Sequence, residues 1–158
     1  MKTINNLVYG YIVGDSFGLS KFNNYDTDIK LKFNESLNIE KGSFSFMSTS
    51  LLATMDSIGD RMDVDIEDII NKLCTSMIVG KYTNNGRVYE MDKETFNVLT
   101  YYSKKNNFNY ILDDNNLSAY SLSRIIPIVI YDFYTNDVFD NLNNVVSLTS
   151  DNEIVYLG

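Results

Sequence analysis

The chain contains no histidine, no tryptophan, one cysteine and one proline among its 158 residues. Each absence removes a class of chemistry. Without histidine, a Ser-His-Asp triad, a Cys-His dyad and a His-ligated metal are all excluded within this chain. Any metal would have to rest on carboxylates. Cys74 is alone, so it cannot close an intramolecular disulfide, and its apolar surroundings in the sequence mark it as a core residue. No apolar run approaches the roughly 18 residues of a membrane span. The N-terminus lacks a secretion-signal pattern, so a cytoplasmic location with no membrane contact is expected.

Positive charge is also scarce, with 13 Lys and Arg against 21 Asp and Glu, a net charge of −8. Such a surface repels phosphate backbones, so direct nucleic-acid binding is not expected. It serves solubility first. It also suits a basic partner surface, including one that normally holds DNA or RNA.

What is present argues for a folded domain. Hydrophobic residues make up 44% of the chain and charged residues 22%, the balance of a globular protein rather than a disordered one. The length fits one domain spanning 1–158. Apolar residues at Leu7, Val8, Tyr11, Ile12 and Val13 have helical spacing, ended by "GDSFG". Residues 22–41 read as a long loop with a short strand-like piece at "KLKF". A second helix reads from Ser48 to Ile58. Asp65 caps a third, with Ile66, Ile69, Ile70, Leu73, Cys74 and Met77 on its apolar face, and Asp92 caps a fourth, "KETFNVLTYYSKK".

"YTNNGRVYEM" reads as a turn. A fifth helix covers 119–134, with Pro127 starting a new helix or kinking this one. A short sixth reads from Asp137 to Leu142, and the tail adds one more. The pattern predicts an all-α fold, a single-domain orthogonal helical bundle.

Other features read as structural. The acidic pairs Asp113-Asp114, Asp63-Asp65 and Glu67-Asp68 suit solvated loops or helix caps. Tyr101, Tyr102, Tyr110, Tyr131 and Tyr134 suit either a core with hydroxyls at its edge or an aromatic surface for a partner.

The order and spacing of four segments carry more information than any one of them. "YGYIVGDSFG", "GSFSFMSTSLLATMDSI", "GKYTNNGRVYEMDKETFNVL" and "SLSRIIPIVIYDFY" together resemble the N-terminal half of the ADP-ribosylglycohydrolase family. Gly10, Gly14, Asp15 and Gly18 follow its "G…GDALG" pattern. For these glycines the plainer reading is helix packing and a C-cap. Gly80, Thr83, Gly86, Arg87 and Val88 follow "G-x-Y-[ST]-x-x-G-R-V". Ser121, Leu122, Arg124 and Pro127 follow "S-L-M-R-x-x-P", where Arg124 also fits a structural ion pair with a neighbouring carboxylate. The tail "LTSDNEIV" resembles an "LTH-x-[ND]" element, with Ser150 in place of histidine. The resemblance implies a compact all-α fold and, for an intact member, two magnesium ions (manganese in some members) used to remove ADP-ribose.

The departures decide what it implies for this chain. The family's "T-W-S-D-D-T" run, whose adjacent aspartates hold metal, corresponds to Ser43, Phe44, Ser45, Phe46, Met47 and Ser48. Phe46 and Met47 thus stand where the carboxylates belong, and neither offers a hard oxygen ligand. They are expected to fill the vacated site, with Ser48 capping the next helix. The "G-N-G-S" substrate loop becomes Ser118, Ala119, Tyr120 and Ser121. Lys21 and Phe22 occupy the stretch where an acidic residue is common, and the later "D-T-D" motif has no counterpart.

The resemblance therefore implies a pseudoenzyme with no catalytic residues, no metal and no cofactor. The expected function is a protein-binding or inhibitory module. An inhibitor from a phage or mobile element, acting on a host defence system such as CRISPR, fits the small acidic chain. Asp15, Arg87, Tyr120 and Arg124 are candidates for residual ligand or partner contacts. Two alternatives stand beside it: a module that senses or sequesters ADP-ribose-type nucleotides, and a residual hydrolase completed by another chain. A homodimer covering exposed helix faces is a further expectation.

Overall fold

Every regular element among the described residues is helical, as the apolar periodicity predicts. The computed structural model describes residues 2–21, 38–105, 110–112, 119–135 and 140–150. The six α-helices are α1 (Lys2–Lys21), α2 (Phe46–Arg61), α3 (Ile66–Val79), α4 (Lys93–Lys105), α5 (Ile125–Thr135) and α6 (Asp140–Val146). A 3-10 helix, Ala119–Arg124, leads directly into α5. No described helix is long and apolar enough to cross a membrane. The strand-like piece at "KLKF", the pair Asp113-Asp114 and the tail after Ser150 lie outside the described residues.

α2 is the central element, packed against α3, the 3-10 helix and α5. The core gathers Phe46 and Ala53 from α2 with Ile69, Ile70, Leu73 and Cys74 from α3, then Val98, Leu99 and Tyr102 from α4. Ile128 of α5, Val145 of α6 and Leu148 close it. Burial pushes the Cys74 thiol up to about 11, and Sγ lies 3.5 Å from the Leu99 carbonyl, so the thiol is inert packing. Tyr102 is also core, its hydroxyl donating to the Leu148 carbonyl at 3.3 Å. Tyr101 stacks edge-on against both Tyr102 and Tyr110. The tyrosine set therefore splits, because Tyr131 and Tyr134 belong to a separate groove on α5.

The third and fourth helices match their sequence signals closely. Asp65 accepts from the Asp68 amide at 3.0 Å, and Asp92 from the Thr95 amide at 2.9 Å. Each satisfies a donor that the first turn leaves without a partner. Ile66 and Met77 prove half-buried at the edge of the apolar face of α3. The final helix is described over Asp140–Val146, and its expected start at Asp137 lies outside the described residues. Pro127 is the third residue of α5, where a missing N–H costs nothing because no preceding α-turn exists to accept it.

The first two helices depart from expectation. α1 does not stop at "GDSFG" but continues to Lys21, so Gly10, Gly14 and Gly18 are interior helix positions. A Cβ at any of the three would meet nothing within 4 Å, so among the described residues they serve neither close packing nor a C-cap. The glycine penalty is tolerated because the helix is anchored elsewhere, by buried Val8 and Leu19 and by the carboxylate of Asp15. α2 begins at Phe46, two residues before the expected start.

Candidate functional site

The N-terminus of α2 is where the sequence placed a degenerate metal turn. A helix start leaves four amides without intrahelical partners, and they carry the positive end of the helix dipole. Ser45, not Ser48, is the N-cap: its backbone is extended and its Oγ accepts from the Met47 amide at 3.1 Å. The Phe46 amide donates to the Tyr89 carbonyl at 2.8 Å. Asp15 reaches across from α1 and takes the rest. Its Oδ2 accepts from the Ser45 amide at 3.0 Å, the Ser48 amide at 3.3 Å and the Ser48 hydroxyl at 2.6 Å.

Ser48 is thus the residue through which the first helix is tied to the second, one turn inside α2. Its expected capping role passes to Ser45, because the Tyr89 carbonyl holds Phe46 at the first helical position. Phe46 points into the core, 1% exposed, whereas Met47 is only half-buried. Phe46 is thus core packing, whereas Met47 sits at the edge.

Carboxylates and phenols gather around Asp15. The Tyr11 hydroxyl is pushed up to about 12 by burial and by the Asp15 charge. Glu90 is held above its usual range by burial and, again, by Asp15. Burial raises the Tyr120 hydroxyl, helped by Glu90, Asp92 and Asp15. Glu90 Oε1 and Asp92 Oδ2 are buried with no hydrogen-bond partner among the described residues. Glu90 also adopts a left-handed backbone (φ 48°), which a non-glycine residue enters at some cost. No local pattern marks Glu90 in the sequence, since neither its left-handed turn nor its distant neighbour Asp15 leaves one.

Arg124 and Arg87 do not join this cluster as ligand contacts. Arg124 is 1% exposed, and its guanidinium turns toward the end of α6. Nε donates to the Val145 carbonyl at 3.2 Å, and Nη2 to the Val146 carbonyl at 3.4 Å and to Thr149 Oγ1 at 2.8 Å. It is structural, but its partners are helix C-terminal carbonyls and a hydroxyl rather than the expected carboxylate. Burial lowers its pKa to about 10, while the Asp92 charge opposes that shift. Arg87 is exposed on the loop after α3, beside Tyr89, with its amide bonded to Asn85 Oδ1 at 3.1 Å. Of the four candidates, Asp15 and Tyr120 come together, and the two arginines do not.

The "G-x-Y-[ST]" segment closes on itself. The Gly80 amide caps α3 through the Ser76 carbonyl, and Thr83 Oγ1 donates to the Gly80 carbonyl at 2.6 Å. The acidic pairs near α3 are likewise structural. Asp65 caps α3, and Asp68 binds the Ser57 hydroxyl at 2.7 Å and Arg61 at 2.7 Å.

Chemically, the junction at Asp15 is anionic and short of donors. Asp15 Oδ2 is already engaged by three, and among the described residues no group of three or more His, Cys, Asp or Glu is arranged to hold a metal. One consequence is measurable. A carboxyl whose folded pKa is raised contributes stability below its unfolded pKa, near 4.5, and loses it as pH rises through the folded value. Ionised Glu90 should therefore weaken the fold at neutral pH. Replacing Glu90→Gln is expected to stabilise the protein by about 0.5–1 kcal/mol at pH 7, allowing for solvent screening at this half-buried position. The gain should vanish below about pH 4. Urea unfolding at the two pH values reads this directly, and an equal effect at both would sink it.

Comparison of the chain with protein-family models, with curated protein sequences and with solved structures finds no match.

Proposed function

We propose that this chain is a degenerate, non-enzymatic relative of ADP-ribosylglycohydrolases that works by binding another protein, as an inhibitor or adaptor. The observation that carries the reading is the fate of the metal turn. Phe46 is buried in the core where a metal-binding carboxylate would stand, and Asp15, whose carboxylate reaches the turn, is spent on capping α2.

The kinship itself draws support from which segments touch. Asp15 of "GDSFG" bonds Ser45 and Ser48 of "GSFSFMSTS", 30 and 33 residues away. Arg124 of "SLSRIIP" bonds Thr149 of "LTS". Segments singled out for their resemblance to one family thus pair with one another in space. An inhibitor of a host defence system, made by a phage or mobile element and acting in the cytoplasm, remains the setting that best suits a small acidic binder.

The nucleotide-sensing alternative is weaker on electrostatic grounds. A pyrophosphate approaching this junction would meet Asp15, Glu90 and Asp92, while Arg124 faces away. A hydrolase completed by a second chain would have to import nearly all of its ligands. The test is direct. The purified chain is incubated with magnesium or manganese and an ADP-ribosylated arginine protein, and release of ADP-ribose is measured against a metal-free blank. No release above the blank, and no thermal shift with free ADP-ribose, are expected. Metal-dependent turnover would overturn the reading.

A further inference from the structure

α1 stands apart from the rest of the domain. Among the described residues, none of those that build the hydrophobic core comes from it. Of its described side chains only Val8 and Leu19 are buried, about three turns apart. Leu7, Tyr9 and Val13 are 47%, 67% and 66% exposed. α1 packs mainly against α2, and beside that contact the fit is loose. A cleft of about 630 Å³ opens between α1 and residues 42–44, lined by Gly10, Val13 and Gly14 on one side and by Gly42 and Phe44 on the other. A gap of that size forfeits the dispersion contacts of a packed interior.

The helix also has little reason to persist alone. Gly10, Gly14 and Gly18 are interior positions, and a 20-residue helix carrying three glycines is marginal in water without tertiary support. That support is concentrated at Asp15, whose Oδ2 collects the Ser45 amide, the Ser48 amide and the Ser48 hydroxyl. Hydrogen bonds to a carboxylate are roughly twice as strong as neutral ones. α2 does not depend on them to the same degree. With Asp15 gone, Ser45 Oγ still caps the Met47 amide and the Tyr89 carbonyl still holds the Phe46 amide. The contact is therefore one-sided: α1 needs α2, whereas the core closes without α1.

We propose that α1 is a releasable strap, which folds only while docked and opens as a unit when Asp15 leaves the start of α2, with α2 to α6 still folded. Switching elements are drawn from the low-stability end of a structure, and α1 is built to sit there. Release would uncover the Ser45 and Ser48 amides and the Ser48 hydroxyl together with the buried side of α1. The inference does not depend on the protein-binding reading and holds whether or not the chain acts on a partner.

Hydrogen exchange of the full chain at pH 7, read by mass spectrometry, tests it. After correction for intrinsic rates, peptides from α1 are expected to be protected, yet to exchange about tenfold or more faster than those from α3 and α4. Asp15→Ala should raise α1 exchange a further ten- to hundredfold or so and leave α3 and α4 unchanged. Alanine is the better helix former, so that rise can come only from the lost tie. Gly14→Ala, at a position open to a Cβ, should act in the opposite direction, slowing α1 exchange about fivefold and nothing else.

An α1 as protected as α3, or Asp15→Ala raising exchange equally across α3 and α4, would make α1 part of one cooperative unit and overturn the proposal. An α1 with no protection in the parent protein would mean that it does not dock, and would overturn it too. Unchanged α1 exchange in Asp15→Ala would remove Asp15 as the clasp. Faster α1 exchange in Gly14→Ala would show close packing at the glycine and contradict the loose fit.

Discussion

Replacing Arg124→Met is expected to lower stability by about 2–4 kcal/mol, with Arg124→Lys in between. The guanidinium is fully enclosed and fans out to three acceptors at the end of α6, the carbonyls of Val145 and Val146 and the hydroxyl of Thr149. Methionine fills a similar volume but donates nothing, so buried carbonyls lose their partners while the cost of burying a charge is recovered. The first effect wins because acceptors cut off from water lose their full hydration without replacement. Lysine keeps the charge but not the fork, and one ammonium cannot reproduce the planar spread. For a chain of this size the methionine variant should melt roughly 5–15 °C lower.

A second variant separates structure from chemistry. Thr149→Val removes one acceptor and should cost about 1 kcal/mol. In a double-mutant cycle with Arg124→Met the two costs should fall short of additive, since they share a bond. Full additivity would mean that Arg124 acts on something other than the α6 terminus.

The same contrast between local and distant partners explains how much of the molecule its sequence discloses. α3 and α4 are legible because every signal lies within a few residues: Asp65 and Asp92 as caps, acidic first turns, lysines closing α4. The start of α2 is not legible. Ser43, Ser45, Ser48, Thr49 and Ser50 offer several equivalent hydroxyl caps, and local pattern cannot rank them. The choice is made by the Tyr89 carbonyl and by Asp15, both at least 30 residues away in sequence. α1 fails for the complementary reason. Three glycines argue for an early stop, and only the tertiary anchors at Val8, Asp15 and Leu19 overrule them.

The candidate site follows the same rule. Asp15, Phe46 and Tyr120 were visible as departures from or matches to a motif. Glu90 was not, because its importance comes from proximity to Asp15 and from a left-handed backbone that glutamate does not advertise. Arg124 is visible as a motif match, but its partners are not. A buried arginine ordinarily calls for a carboxylate, and here helix-terminal carbonyls take that place.

Gly80→Ala is expected to be the most damaging single-methyl change in the chain, costing about 4 kcal/mol or more. Two effects coincide at this position. Its φ of 69° lies in the left-handed region, where a Cβ costs roughly 1–2 kcal/mol by itself. The added Cβ would also stand 2.1 Å from the Gly86 carbonyl oxygen, a backbone atom that no rotamer change can move aside. The loop between the two glycines is held by Thr83, whose amide and hydroxyl both donate to the Gly80 carbonyl, so relief requires breaking that turn. Gly86→Ala separates the two effects. Its φ is 74°, but its Cβ would meet nothing within 4 Å, so only the backbone cost of about 1–2 kcal/mol should appear. Gly59→Ala, in an open position inside α2, should instead stabilise by about 0.5–1 kcal/mol. Urea midpoints of the three variants should therefore rank Gly59→Ala above the parent, Gly86→Ala below it and Gly80→Ala far below. If Gly80→Ala and Gly86→Ala proved equally destabilised, the close approach of the two glycines would not be what holds this loop to the end of α3.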